Sequence, residues 1–301
     1  MSMPPSTNRD SAAFNRRQLL AGTTAALASG AAAQAAAVDP ERKLRGNIQH
    51  SIVWWCFRKY WDVETMATKA AQWGCRSIEL IPPEHWPTLH NHGLTVAIAS
   101  SHAFREGFNN RDQWDSCSKR LRAVIDQCAE AGVKRVITFT GFANGLTRKK
   151  GAENCVEGLK PIVEYASEKE ITLCLEMLNT RDSSHPMKGH PGYQGDHTEY
   201  CIDIIRRVDS EYLKLLFDVY HVQIMDGDVI RRIHEFKKEI GHVHTAGNPG
   251  RGELDQRQEI NYPAIMQALV EVEYDGFVGH EFIPSRAPEK GLLEAIQWCD
   301  V

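Results

Sequence analysis

Four short apolar runs in the second half of the chain each close on a side chain able to bind a metal ion. They are Leu173-Cys174-Leu175-Glu176, Leu215-Leu216-Phe217-Asp218, His242-Val243-His244 and Val278-Gly279-His280-Glu281. A carboxylate at the end of a buried strand loses much of its hydration, and that loss is costly unless a cation or strong donors replace the water. Singly, Asp218 could cap a helix, His244 could be a satisfied core histidine, and either glutamate could pair with an arginine. Their recurrence at the same point of successive runs instead calls for one shared cation. Three carboxylates and one imidazole suit Mn²⁺ or Mg²⁺, with Co²⁺ or Zn²⁺ also compatible, and leave open positions for substrate oxygens. One chemistry that such a cation can support is proton transfer next to a carbonyl. A hydrogen alpha to a carbonyl is too weak an acid for a carboxylate base unless the developing enediolate charge falls on oxygens held by a cation.

The elements that must position these groups are legible as alternation. Eight apolar runs, 48–53, 76–81, 94–99, 133–139, 171–176, 213–218, 240–244 and 276–281, read as buried parallel strands. Helical periodicity fills the intervals. Asp62 is placed to cap a helix with Val63, Met66, Ala67 and Ala70 on one face, stopped at Gly74. Trp114, Cys117, Leu121, Val124, Cys128 and Ala131 repeat the pattern before Gly132. Val229, Ile233, Phe236 and Ile240 recur after Asp228, and Asn261 starts a helix with Pro263 in its first turn. Eight βα units in one chain predict a (β/α)8 TIM barrel over 38–301, an α/β fold whose sites collect at the C-terminal ends of the strands. An open doubly wound sheet is disfavoured, since no GxGxxG or Walker sequence is present.

The motifs Leu175-Glu176-Met177-Leu178-Asn179, Phe217-Asp218-Val219-Tyr220-His221, the stretch Ile240-Gly241-His242-Val243-His244-Thr245-Ala246-Gly247-Asn248-Pro249-Gly250-Arg251, and Gly279-His280-Glu281-Phe282 resemble the hydroxypyruvate isomerase group of the xylose isomerase-like barrels. The resemblance runs over roughly residues 47 to 299 and includes Glu259-Ile-Asn-Tyr262. It implies Glu176, Asp218, His244 and Glu281 as ligands, Glu176 and Glu281 doubling as the acid/base pair, and His221, Arg251 and, more weakly, His102 as substrate contacts. Enterobacterial members of the group carry glutamine where His244 stands, and related ketose 3-epimerases carry histidine. The implied reaction is isomerisation of hydroxypyruvate and tartronate semialdehyde, with 3-epimerisation of a ketose as the alternative. A non-catalytic periplasmic sugar-binding protein is a third reading.

Around the site, residues 180–197 hold Arg181, His185, His190, Pro191 and Tyr193 and contain too many polar and turn residues for a helix. A loop of that length in a compact fold is usually functional, and it is expected to overhang the barrel mouth as a lid. Trp54 and Trp55, after the first strand, are candidates for an apolar wall.

The first 37 residues differ from all that follows. Phe14-Asn15-Arg16-Arg17-Gln18-Leu19-Leu20 resembles a twin-arginine export signal, with Ala33-Gln34-Ala35 as a small-x-small cleavage site. A periplasmic product without stable membrane insertion is expected. Arg9, Arg16 and Arg17 against Asp10 account for +2 of the chain's net −4, leaving −6 on the remainder. That charge repels nucleic-acid phosphates and disfavours a multi-metal abasic-site nuclease or phosphodiesterase on the same fold. A small-molecule substrate is the expected partner, and self-association into a homo-oligomer is compatible with the sequence. The eight cysteines form no Cys-x-x-Cys pair and read as small apolar filler rather than a zinc or disulfide framework.

Overall fold

The computed structural model describes Met1 and residues 43–301; the export signal expected within 1–37 lies outside the described residues apart from Met1. In chain order the elements are β1 (Gln49–Val53), α1 (Trp54–Phe57), α2 (Val63–Gln72), β2 (Ser77–Glu79), α3 (Trp86–Asn91), α4 (Trp114–Ala131), β3 (Arg135–Thr138) and α5 (Arg148–Glu168). There follow β4 (Thr172–Glu176), α6 (Thr198–Val208), β5 (Leu213–Asp218), α7 (Val219–Met225), α8 (Val229–Glu235), β6 (Ile240–Thr245), α9 (Tyr262–Glu271), β7 (Phe277–His280) and α10 (Pro288–Cys299). The strands form one parallel sheet in the order β2-β1-β7-β6-β5-β4-β3, the neighbour order of a (β/α)8 barrel.

Seven of the eight expected strands are regular, and the run 94–99 is the exception. It nevertheless occupies the gap between the two sheet edges. Ile78 and Leu80 of and beyond β2 donate to the carbonyls of Thr95 and Ile98, and Ala99 exchanges hydrogen bonds with Arg135 and Ile137 of β3. The ladder is interrupted because the Ser77 hydroxyl, not a backbone carbonyl, accepts the Ala97 amide at 2.8 Å. A side chain competing for a backbone donor breaks the regular pattern without leaving the donor unpaired.

The helices follow their sequence signals. Asp62 accepts the Thr65 amide at 2.8 Å and starts α2, whose Met66, Ala67 and Ala70 are buried. Cys117, Leu121, Val124, Ile125 and Cys128 form the inner face of α4, which ends on Gly132 at φ 72°. Ile240, which continued the helical spacing of 229–236, belongs instead to β6: α8 stops at Glu235, and one turn closed by the Ile240 amide on the Phe236 carbonyl reverses the chain. All eight cysteines are free and buried, as filler should be. No helix among the described residues is long and apolar enough to cross a membrane.

Inside the barrel the two sides differ in chemistry. Ile98, Ile137, Cys174 and Leu216 belong to an apolar cluster separate from the main core. On the other side, Glu79, His242 and His244 come together, all fully buried. Gly279 of β7 makes that polar side possible: a Cβ there would lie 2.5 Å from Glu79 Oε1 and 2.9 Å from His244 Cδ2. Gly279→Ala is therefore expected to lower stability by about 1–3 kcal/mol, the usual cost of overpacking a filled interior. Urea unfolding of the metal-free protein measures this, and an unchanged midpoint would contradict the packing described.

Candidate metal centre and active site

Each of the four expected ligands arrives at the mouth by a different strand. Glu176 ends β4, Asp218 ends β5, His244 is the penultimate residue of β6, and Glu281 follows β7 by one residue. Register aligns them: Asp218 pairs with His244, and His244 with Gly279, while the Glu281 amide extends the ladder to the Thr245 carbonyl at 2.9 Å. One ligand atom from each of the four lies within 4.8 Å of the others, and all four residues are buried. Asp218 serves two purposes, because its Oδ1 also caps α7 by accepting the Tyr220 amide at 2.9 Å, which leaves Oδ2 for the centre. The helix-cap reading and the ligand reading of this residue are thus compatible.

The donor set fits a divalent cation. His244 Nδ1 lies 2.8 Å from Glu281 Oε2 and 3.8 Å from Glu176 Oε1, yet has hydrogen-bond geometry to no group. An imidazole nitrogen fully buried, unpartnered and facing three carboxylates is a metal-ligand arrangement. The other nitrogen, Nε2, donates to Glu79 Oε1 at 2.7 Å.

Burial sets the electrostatics, modified by neighbouring charge. Loss of water pushes Glu176 up to about 7, with the Glu281 charge adding to the effect and His244 opposing it. Burial likewise raises Asp218 to about 6 against the pull of Arg251. Glu281 is buried as deeply, but Arg251 and His244 outweigh the desolvation and hold it well below the usual carboxylate range. His244 moves the opposite way from a simply buried histidine: burial lowers it, while Glu281, Glu176 and Glu79 together raise it well above its ordinary value.

The three expected substrate contacts have different surroundings. Arg251 is buried, with Nη2 2.5 Å from Glu281 Oε2 and 3.4 Å from Asp218 Oδ2, and Nη1 donating to the Met187 carbonyl at 2.6 Å. It sits in left-handed backbone at φ 54°, in a loop held by reciprocal hydrogen bonds between Gly247 and Gly252. A Cβ on Gly247 would lie 2.3 Å from the Glu253 carbonyl oxygen, so that close approach requires glycine. His102 lines the cavity, with Nε2 3.0 Å from the Thr138 hydroxyl, and burial lowers it to about 4. His221 is fully buried and is not among the residues that line the cavity. Its Nδ1 accepts the Asn179 backbone and side-chain amides at 3.1 and 2.7 Å, which puts the proton on Nε2, 3.5 Å from Asp218 Oδ2. It is a neighbour of a ligand more than a surface open to substrate.

The cavity has a volume of about 150 Å³ and is lined by Glu176, Glu281, Arg251, His102 and Trp55, with Phe104, Phe139, Met187 and His190 around them. Met187 and His190 come from the 180–197 loop, which contains no helix and does reach over the mouth. Trp55, expected as a candidate for an apolar wall, does line the cavity, whereas Glu79 and His242 were not recognised from sequence as part of the site. Trp55 matters for its indole N–H, which donates to Glu281 Oε1 at 2.9 Å, as well as for its apolar face. Glu79 and His242 lie beneath the ligands; the only sequence signal for Glu79 was an acidic residue inside the apolar run 76–81.

The profile of the family described as "Xylose isomerase-like TIM barrel" matches residues 67–300. The chain belongs to this family. A 2-oxo-tetronate isomerase of Cupriavidus necator is 34% identical over 236 residues, covering 74% of this chain and 88% of that protein. The hydroxypyruvate isomerase of Escherichia coli strain K12 is 26% identical over 260 residues, covering 77% and 90%. Among solved structures, an AP endonuclease of family 2 from Brucella melitensis superposes with a TM-score of 0.72 at 25% identity, over 81% of this chain and 95% of that one. Isomerase and nuclease names thus both occur near this member of the family, and the side chains at the mouth have to decide between them.

Ligation requires carboxylates, and in the metal-free protein Glu176 and Asp218 hold protons up to about 7 and about 6. Both must lose them to bind a cation, so affinity falls as pH drops through these values. Mn²⁺ titrated calorimetrically from about pH 8 to about pH 5.5 should bind progressively more weakly, by more than about tenfold per pH unit at the acid end where two carboxyl protons must be displaced, and release protons. A constant affinity across that range would contradict the ligand assignment.

Proposed function

We propose that this chain, an enzyme of the isomerase class, is a divalent-metal-dependent isomerase of a small hydroxy-carbonyl compound of the hydroxypyruvate and 2-oxo-tetronate kind. The observation that carries the reading is the convergence of Glu176, Asp218, His244 and Glu281 within 4.8 Å at the barrel mouth. The names of the relatives support the substrate class. Mn²⁺ or Mg²⁺ suits the three-carboxylate set, and when bound such an ion lowers the acidity barrier of the carbonyl compound by stabilising developing negative charge.

The side chains account for the rest of the chemistry. Glu281 is the group best prepared to accept a proton: Arg251 and His244 favour its charged form, and the Trp55 indole fixes one of its oxygens. Glu176 lines the same cavity and is the partner carboxylate that can return the proton. Two carboxyl groups lining one cavity are the pattern expected of a base and an acid facing one substrate. Arg251 and His102 line the same cavity and supply donors toward substrate oxygens. Met187, His190 and Phe104 close the space and limit water, which strengthens each of these interactions. Return of the proton to the adjacent carbon, with the hydroxyl proton passing between the two substrate oxygens, completes an isomerisation, whereas return to the original carbon from the opposite face gives an epimer.

Incubating the protein with Mn²⁺ and hydroxypyruvate, a 2-oxo-tetronate or short ketoses in D₂O, followed by proton NMR, tests this directly. Deuterium should enter the position alpha to the carbonyl as product forms. Epimerised ketose without aldose–ketose conversion would select the epimerase alternative, and binding without exchange would select a sugar-binding protein. Glu281→Gln should melt close to the parent and lose at least ~100-fold in turnover, the lower range of acid/base contributions. We further propose export by the twin-arginine route. Replacing Arg16 and Arg17 together with lysine should keep the protein in the cytoplasm of a host that has that route, and unchanged fractionation would remove the proposal.

A further inference from the structure

Below the four ligands lies a fifth buried carboxylate. Glu79, the last residue of β2, is fully buried on the interior side of His244. Its Oε1 receives two imidazole N–H groups, His244 Nε2 at 2.7 Å and His242 Nε2 at 2.8 Å, while Oε2 has no hydrogen-bond partner. The two rings stand nearly perpendicular, at 86°, with centroids 4.9 Å apart, so they reach one oxygen from different directions. The barrel makes room for this group by omitting a side chain at Gly279, whose Cβ would occupy space 2.5 Å from Glu79 Oε1.

We propose that Glu79 is a positioning residue for the metal centre: by accepting the His244 Nε2 proton it fixes the imidazole with Nδ1 as the free donor toward Glu176, Asp218 and Glu281, and so sets how tightly a divalent cation is held. The inference rests on the metal reading above and adds a residue to it that touches neither ion nor substrate. The chemical reason is general. An imidazole bound through one nitrogen must carry its proton on the other, and a carboxylate accepting that proton orients the ring and increases its donor strength. Here the ring has two candidate nitrogens and one free rotation. With Glu79 in place the arrangement of Nε2 toward the floor and Nδ1 toward the mouth is favoured before any ion arrives. Without an acceptor beneath, the Nε2 proton would be buried and unpaired, at a cost comparable to a lost hydrogen bond. His242 shares the acceptor oxygen and fills the floor beside it, but it has no atom among the four-ligand group.

The test compares Mn²⁺ affinity by titration calorimetry, and melting temperature without metal, for the parent, Glu79→Gln, His244→Gln and the double variant. Glutamine keeps the size of the side chain but removes its charge. Glu79→Gln should melt near the parent and bind Mn²⁺ about 10- to 100-fold more weakly, the range for removal of such an outer partner. In the His244→Gln background, where no imidazole remains to orient, the same change should cost less than about threefold, a coupling that a double-mutant cycle reads directly. Equal losses in both backgrounds would mean that Glu79 merely maintains the barrel floor, and would overturn the proposal. So would Mn²⁺ affinity in Glu79→Gln within about twofold of the parent. A parent that binds no divalent cation would instead remove the metal reading itself, together with this inference.

Discussion

The structure depends on one constraint: three carboxylates are buried side by side at the end of a strongly apolar barrel, and their repulsion must be answered. Arg251 answers part of it, bridging Asp218 and Glu281 from a loop held in left-handed backbone. His244 answers another part, and a divalent ion would complete the neutralisation. Unpaired charges buried this deeply are strongly unfavourable, so loop, strand ends and lid are all built around supplying positive charge or N–H groups to them. The Trp55 indole, the Tyr220 amide and the Met187 carbonyl each take part, directly or through Arg251.

That constraint also explains how far the sequence could be read. Strands of a closed parallel barrel are buried on both faces, so they appear as continuous apolar runs, and a polar residue at the end of a run stands out. Glu176, Asp218, His244 and Glu281 were legible for this reason, and the register of β5, β6 and β7 brings them to a common level. The run 94–99 had the same apolar character as the others but not their ladder, because the decisive contact is a hydroxyl on a neighbouring strand. No periodicity within 94–99 carries that information.

Glu79 and His242 were illegible for a related reason. Each lies within or near the start of a run rather than alone at its end, and the contact that gives them meaning joins residues 163 positions apart. His221 shows what the resemblance leaves open. It implied a substrate contact, and in the structure the ring is fully buried, with Nδ1 accepting the two Asn179 amides and Nε2 3.5 Å from Asp218 Oδ2. Position along a strand reveals which end of the barrel a residue serves; it does not reveal the depth at which the side chain comes to rest.

Gly279 carries a consequence for how such a sequence can change over time. The absence of a side chain on β7 and the presence of a long acidic one on β2 fill the same small volume. Neither position is free to drift alone: a methyl group at 279 collides unless residue 79 shortens, and a shorter residue 79 gives up its reach to both histidines. Changes of side-chain size at these two sites are therefore expected to be coupled in descent.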